Sequence, residues 1–209
     1  MIVLSHRGYW RAPAEKNRDV AFRRSYDLGF GTETDIRDRA GALVIAHDMA
    51  GPADMTLDAM LDILADRDLP LALNIKADGL GRALAAAMAR RPLTRWFTFD
   101  MAVPDMVQQL RLGLPAFTRC SEFERQPACY AEAAGVWLDA FEGTWYRAAD
   151  VAAFLRDGKA VCVVSPELHG RDPLPLWEEL RASDIAHHPS LMICTDRPED
   201  AATHFGALP

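Results

Sequence analysis

The chain has 209 residues, half of them hydrophobic, and a formal net charge of −7. That is apolar material for one large core, and the negative balance offers no basic stripe for nucleic acid. No apolar run approaches the roughly 18 residues of a membrane span, so no integral membrane segment is expected.

Residues 2 to 6 form a short apolar run ending in His6-Arg7-Gly8, with no basic lead before it, which sets the expectation of a cytoplasmic protein. Asp19 to Leu28 has helical spacing and stops at Gly29. Residues 30 to 48 read as a strand, a tight turn near Asp38 to Gly41 and a returning strand, a β-hairpin. Thr56 to Ala65 is an amphipathic helix with Thr56 as its N-cap. Leu71 to Lys76 is an apolar strand, and Gly81 to Arg90 an alanine-rich helix.

Shorter units follow. Strands are expected at Trp96 to Asp100, Ala116 to Arg119, Val136 to Phe141, Ala160 to Ser165 and Leu191 to Thr195. Helices are expected at Pro104 to Leu112, around Cys129 to Ala134, and at Ala148 to Arg156, Pro173 to Ala182 and Pro198 to Phe205. Eight strands that each precede a helix define an α/β protein, and their continuous apolarity favours a closed TIM (β/α)8 barrel. The hairpin is extra and projects after the second strand. The alternative is an open α/β sheet. No linker or repeat interrupts residues 1 to 209, which read as a single domain. Cys162 and Cys194 sit in apolar runs, and with Cys120 and Cys129 they show no metal-like spacing.

Reactive groups in such barrels sit where strands end. His6 and Arg7 end the first strand, Asn74 and Lys76 the third, Asp100 the fourth, Arg119 the fifth and Asp139 the sixth. Glu33 and Asp35 are two apart, so they share one face of the second strand. Two carboxylates on one buried face repel each other, and a divalent cation between them removes that cost. A turn centred near Ala40 sets position 33 across from 47 and returns His47 to their level. Asp196 reads as the N-cap of the helix that follows it, and Asp100 as either a rim group or such a cap. Trp10, Trp137 and Trp145 read as core. Glu167, His169 and Arg171 alternate along what reads as an extended loop after the seventh strand. They supply either a further metal ligand (Glu167) and a phosphate clamp (His169, Arg171) or an ordinary salt-bridged loop.

These residues resemble the glycerophosphodiester phosphodiesterase family, within the phosphatidylinositol phospholipase C-like barrels. The resemblance rests on His6-Arg7-Gly8, Glu15 and Asn17, Gly31-Thr-Glu-Thr-Asp35, Val44-Ile-Ala-His-Asp48, Asn74-Ile-Lys76 and Thr195-Asp196-Arg197-Pro198. It implies a TIM-type barrel that hydrolyses glycerophosphodiesters or related lipid-derived diesters with one bound Mg²⁺ or Ca²⁺. Residue by residue, it implies His6 and His47 as the acid–base pair, Glu33 and Asp35 as metal ligands, and Arg7 and Lys76 as phosphate contacts. This chain departs from the family at Asn74, where an acidic residue is usual, and in the few residues between Asp48 and Thr56. It departs also at Pro13 to Asn17, in place of Pro-Glu-Asn-Thr. Two other readings stay open: a lyase resembling sphingomyelinase D that stops at a cyclic phosphate, and a non-catalytic barrel that holds a phosphate ligand.

Overall fold

The structure is a computed structural model that describes residues 1–206. Eight parallel strands run in the barrel: β1 (Ile2–His6), β2 (Gly31–Arg39), β4 (Leu71–Ile75), β5 (Trp96–Phe99), β6 (Phe117–Cys120), β7 (Gly135–Leu138), β8 (Ala160–Val164) and β9 (Leu191–Thr195). The ninth, β3 (Ala42–Ile45), pairs antiparallel with the overhanging end of β2. Around the barrel the order is β5-β4-β2-β1-β9-β8-β7-β6. This is the expected nearly closed TIM-type barrel with its projecting hairpin.

Seven helices cover the outside: α1 (Asp19–Asp27), α2 (Leu57–Leu64), α3 (Gly81–Met88), α4 (Val103–Arg111), α5 (Ala148–Arg156), α6 (Leu174–Arg181) and α7 (Pro198–Phe205). The helix expected around Cys129 to Ala134 is absent. That stretch makes one turn, closed by Ala133 N–H donating to the Cys129 carbonyl at 2.9 Å, and Cys129 itself has a positive φ of 52°. A non-glycine residue held there does not continue a right-handed helix. No helix among the described residues is long and apolar enough to cross a membrane.

One alternation explains both the core and the site. Parallel register sets His6 beside Glu33, and Asp35 beside Asn74. Inward-pointing residues lower in the strands fill the barrel, among them Leu4, Ala72, Phe97, Phe99, Phe117, Trp137, Cys162 and Cys194. The next inward position toward the C-terminal end of most strands is polar or charged. Trp137 is thus core, as expected. Outward-facing residues pack under the helices in separate clusters.

The β5–β6 seam carries little backbone pairing, a single bridge from Thr98 to Ala116 with Thr98 N–H donating to Pro115 at 3.0 Å. Side chains close it instead. Phe97 stacks on Phe117 and Phe99 on Trp137, each with ring centroids 3.7 Å apart. Above them Arg119 is ion-paired with Asp100 across the seam.

Candidate active site

Strand β1 ends in a backbone reversal. Arg7 and Gly8 both have positive φ, 58° and 79°. At Gly8 a Cβ would meet Ala21 Cβ at 2.8 Å and the Ala21 backbone carbon at 2.9 Å, so only glycine lets the chain pass this close to α1. The reversal aims the Arg7 backbone N–H at Glu33, 2.9 Å from its carbonyl and 3.2 Å from Oε2.

His6 is held from below by the last strand. Its Nδ1 lies 2.8 Å from Asp196 Oδ1, and Trp10 Nε1–H donates to the same oxygen at 3.3 Å. An ionised carboxylate only accepts, so the Nδ1 carries the proton. Nε2 is left facing Glu33 Oε2 at 3.9 Å, too far for a hydrogen bond. This corrects the capping reading of Asp196: the N-cap of α7 is Arg197, and the Asp196 side chain turns inward to orient the imidazole. Trp10 likewise is not core. It is half-buried and carries Lys16 Nζ 4.3 Å above its ring.

Glu33 and Asp35 are buried, and they share the inner face of β2 as their spacing requires. Arg7 Nε lies 2.9 Å and Lys76 Nζ 3.5 Å from the Asp35 carboxylate, and Asn17 Nδ2–H donates to it at 2.8 Å. Asn17 is placed by its own left-handed backbone (φ 58°) and by Thr34 Oγ1–H donating to its Oδ1 at 2.8 Å. Burial, with Asp35 alongside, pushes the Glu33 carboxyl up to about 7. The cations extend outward in a chain. Lys76 also lies 3.6 Å from Asp100, which pairs with Arg119, which pairs with Glu124. Asp100 is therefore not a helix cap either; α4 starts after Ala102, and Asp100 serves the rim.

The oxygens of this pocket suit a hard cation. Asn74 Oδ1 is buried with no hydrogen-bond partner, Asp35 Oδ1 has only the ammonium of Lys76 at 3.5 Å, and Glu33 adds a carboxyl whose ionisation burial opposes. A buried amide oxygen with no partner beside two carboxyls is an oxygen set that fits Mg²⁺ or Ca²⁺. Among the described residues no three His, Cys, Asp or Glu side chains gather to hold a metal, so the amide of Asn74 is the third oxygen available here.

The hairpin differs from the expected register. Ile36 faces Ile45 and Arg39 faces Ala42, joined by the two-residue turn Ala40-Gly41 with φ 49° and 84°. Both central residues are left-handed, the geometry of a two-residue hairpin turn. The pairing runs one residue off, so 34 rather than 33 projects toward 47. His47 lies beyond β3, half-exposed at 46% of its side chain, with Nδ1 3.0 Å from Asp48 Oδ1 and its carbonyl held by Arg37. It is not stacked over the carboxylates. It meets the site from the side, lining with Arg7, Lys16, Asn17 and Arg18 a cavity of about 420 Å³.

After β8 the expected extended loop is instead a 3-10 turn, Pro166–His169, closed by Gly170 at φ 71°. The turn sends alternate residues to different neighbours. Glu167 is fully engaged: it accepts from Ser165 and Thr195 hydroxyls and from Asp196 N–H at 3.1 Å. It braces β8 to β9 rather than offering a metal ligand, which corrects that assignment. His169 Nε2 lies 2.7 Å from Asp139 Oδ1, and Arg171 donates to the Ala140 carbonyl. Both are tied to the end of β7 and not to the Arg7–Lys76 pocket. Burial raises the Asp139 carboxyl, with the His169 contact opposing. Sequence reasoning read Asp196 as a helix cap and left Asn17 without a role. The Thr195-Asp196-Arg197-Pro198 signature marked the first; only the tertiary fold reveals the partner of the second.

Fold and site together define a (β/α)8-type barrel that collects its histidine, carboxylates and cations at the C-terminal rim. No protein-family model matches the sequence, and no curated protein matches it. Solved structures do. A glycerophosphodiester phosphodiesterase from Agrobacterium tumefaciens aligns with a TM-score of 0.74 at 18% identity, covering 99% of each chain. A phosphodiesterase from Oleispira antarctica, in complex with the product sn-glycerol-3-phosphate, aligns at 0.70 and 15%, covering 99% of this chain and 97% of its own. A glycerophosphoryl diester phosphodiesterase from Parabacteroides distasonis aligns at 0.66 and 12%, covering 100% and 87%. The chain thus has, end to end, the fold of these phosphodiesterases.

Proposed function

We propose that this chain is a phosphoric diester hydrolase of the glycerophosphodiester phosphodiesterase type. The observation that carries the reading is His6, fixed by Asp196 on one side and facing Glu33 on the other, with Arg7 and Lys76 paired to Asp35 on the same strand as Glu33. A base, an oxygen-lined cation pocket and two cations at one strand rim are what attack on a phosphodiester requires. The full-length likeness to diesterases, one of them bound to sn-glycerol-3-phosphate, supports the same class.

Glu33, Asp35 and Asn74 would hold one divalent cation. Bound there, it supplies charge to offset the negative charge that builds on the phosphate oxygens. Arg7 and Lys76 lie close enough to the acidic pair to engage the same phosphate, Arg7 with two donors at once. His6, its Nδ1 proton committed to Asp196, presents a basic Nε2 that takes the proton of the attacking water or hydroxyl. His47, at the open cavity, protonates the departing alcohol, which leaves through solvent-accessible space. Asn17 and Arg7 hold one oxygen of Asp35, Oδ2, and leave Oδ1 toward Lys76.

The test is turnover of a glycerophosphodiester by protein stripped with EDTA and then resupplied with Mg²⁺ or Ca²⁺. Release of a glycerophosphate that needs the added ion supports the reading. Tight phosphate-ester binding with no turnover in either ion would favour a binding barrel. A cyclic phosphate that accumulates and persists would favour the lyase.

A further inference from the structure

The rim holds a second histidine–aspartate pair that the proposed chemistry does not use. His169 Nε2 lies 2.7 Å from Asp139 Oδ1, and Ala140 N–H donates to the same oxygen at 2.7 Å. Asp139 is buried, and it stands two residues beyond the inward-facing Trp137, so its side chain also points into the barrel. A buried carboxylate is costly unless it is held, and here an imidazole and a backbone N–H hold it. Because Oδ1 accepts, the proton of the imidazole is on Nε2 and Nδ1 is left as an acceptor. Nδ1 makes no hydrogen bond among the described residues. The strand end beneath is pinned as well: Trp145 Nε1–H donates to the Asp139 carbonyl at 2.8 Å, and Arg171 to that of Ala140.

This pair stands across the mouth from the phosphate pocket. Around the eight-strand barrel β7 lies four strands from β2 in either direction, so Asp139 is opposite the strand that bears Glu33 and Asp35. Burial holds the Cys162 thiol well up, and the charges of Glu33 and Asp139 both add to this, so the two carboxyls stand over one core side chain. Beside His169, the turn after β8 lays Leu168 against the barrel core. Phe141 packs its ring 5.1 Å from His169 while remaining 38% exposed. That side of the mouth thus presents apolar carbon around one fixed acceptor.

We infer that His169 and Asp139 form a subsite for the alcohol that stays on phosphorus, with His169 Nδ1 accepting a hydrogen bond from one of its hydroxyls and Asp139 positioning the ring. The inference rests on the phosphodiesterase reading. There the departing alcohol leaves through the cavity beside His47, on the β2 side. The other substituent then runs across the mouth toward β7, where its carbons meet Leu168 and Phe141 and its hydroxyl meets His169. The substrate class that follows is a diester whose retained alcohol is a polyol rather than a plain alkyl chain. An alkyl chain would cover Nδ1 and take away its water without replacing that hydrogen bond.

Calorimetric titration of the full chain, supplied with Mg²⁺, tests the subsite without any turnover. The two probes are glycerol 3-phosphate and n-propyl phosphate, which has the same carbon chain and no hydroxyl. Wild type should bind the first about tenfold more tightly, the worth of one good hydrogen bond. His169→Phe keeps a ring against Phe141 and removes the acceptor, so this preference should fall to about twofold or less. Asp139→Ala should lose the preference too, whereas Asp139→Asn, which still offers an oxygen to Nε2–H, should keep most of it. Thermal melts near wild type would show that the variants fold, and the two probes on wild type need no variant at all. Equal affinities in wild type, or a preference that survives in His169→Phe, overturn the inference. Equal affinities beside intact turnover of a glycerophosphodiester would overturn it alone. If neither phosphate binds, the phosphate pocket itself fails and the subsite falls with it.

Discussion

His6 on the first strand and Asp196 just past the last share a hydrogen bond of 2.8 Å, although 190 residues separate them in the chain. The adjacency of β1 and β9 in the barrel makes it possible, and it gives the imidazole one tautomer and one orientation. Asp196→Asn keeps the shape but lets the ring turn and changes which nitrogen bears the proton. The expected result is a kcat lower by about a hundredfold or more with KM little changed, partly restored by Asp196→Glu. Steady-state kinetics on the three proteins measure it; an equal loss in KM with kcat preserved would refute the orienting role.

Leaving-group dependence separates the two histidines. His47→Ala should slow hydrolysis of a diester with an alkyl alcohol by roughly a hundredfold, because that alcohol needs a proton to depart. The same variant should cleave a p-nitrophenyl diester within about threefold of wild type, since that phenolate leaves unaided. His6→Ala should impair both substrates. Parallel losses in His47→Ala would remove its assignment as the acid.

In metal-free protein, stability should depend on pH through Glu33. Its carboxyl is raised by burial and by Asp35 to about 7 in the fold, above its ordinary value of 4.5. The folded state therefore holds the proton more tightly, so the contribution is fully present below about pH 4.5 and is lost as pH rises through 7. Urea midpoints in EDTA should fall from pH 5 to pH 8, more steeply in wild type than in Glu33→Gln. Added Mg²⁺ should recover part of the loss at pH 8, because a cation stabilises the ionised form. Identical slopes in wild type and Glu33→Gln would contradict this account of the pocket.

Arg7→Ala leaves the buried Asp35 facing Lys76 and Asn17 without its nearest cation. Removing one partner of a buried pair costs about 3 kcal/mol, and the melting temperature should drop accordingly. Arg7→Lys should keep most of the stability and still lose kcat/KM, since an ammonium does not grip two phosphate oxygens. Calorimetric melts beside kinetics distinguish the two effects.

Glu167→Gln should loosen the β8–β9 bracket formed by Ser165, Thr195 and Asp196. A destabilisation of about 1 to 3 kcal/mol is expected, with Mg²⁺ affinity unchanged. A large fall in affinity would restore Glu167 as a ligand.

Much of this was legible from sequence because strand alternation and strand ends are local properties. The eight strands follow from short continuous apolar runs, and the shared face of Glu33 and Asp35 from the period of two along a strand. The errors arose where geometry depends on one residue's backbone. Ala40 takes a left-handed φ with no Asn-Gly signal to announce it, and a turn one residue different moves every later pairing by one. Cys129 does the same to the helix expected after β6. Asp196 looks like a cap because it precedes a helix, and only the return of β9 to β1 shows that it faces His6. Glu167 could not be placed without knowing that a 3-10 turn swings it toward β9.

The most direct measurement is a phosphorus NMR time course of a glycerophosphodiester with wild type and His6→Gln, each stripped and resupplied with Mg²⁺. The account requires the diester signal to convert to a phosphomonoester in wild type and to persist in the folded variant. Conversion at comparable rates in both would contradict it.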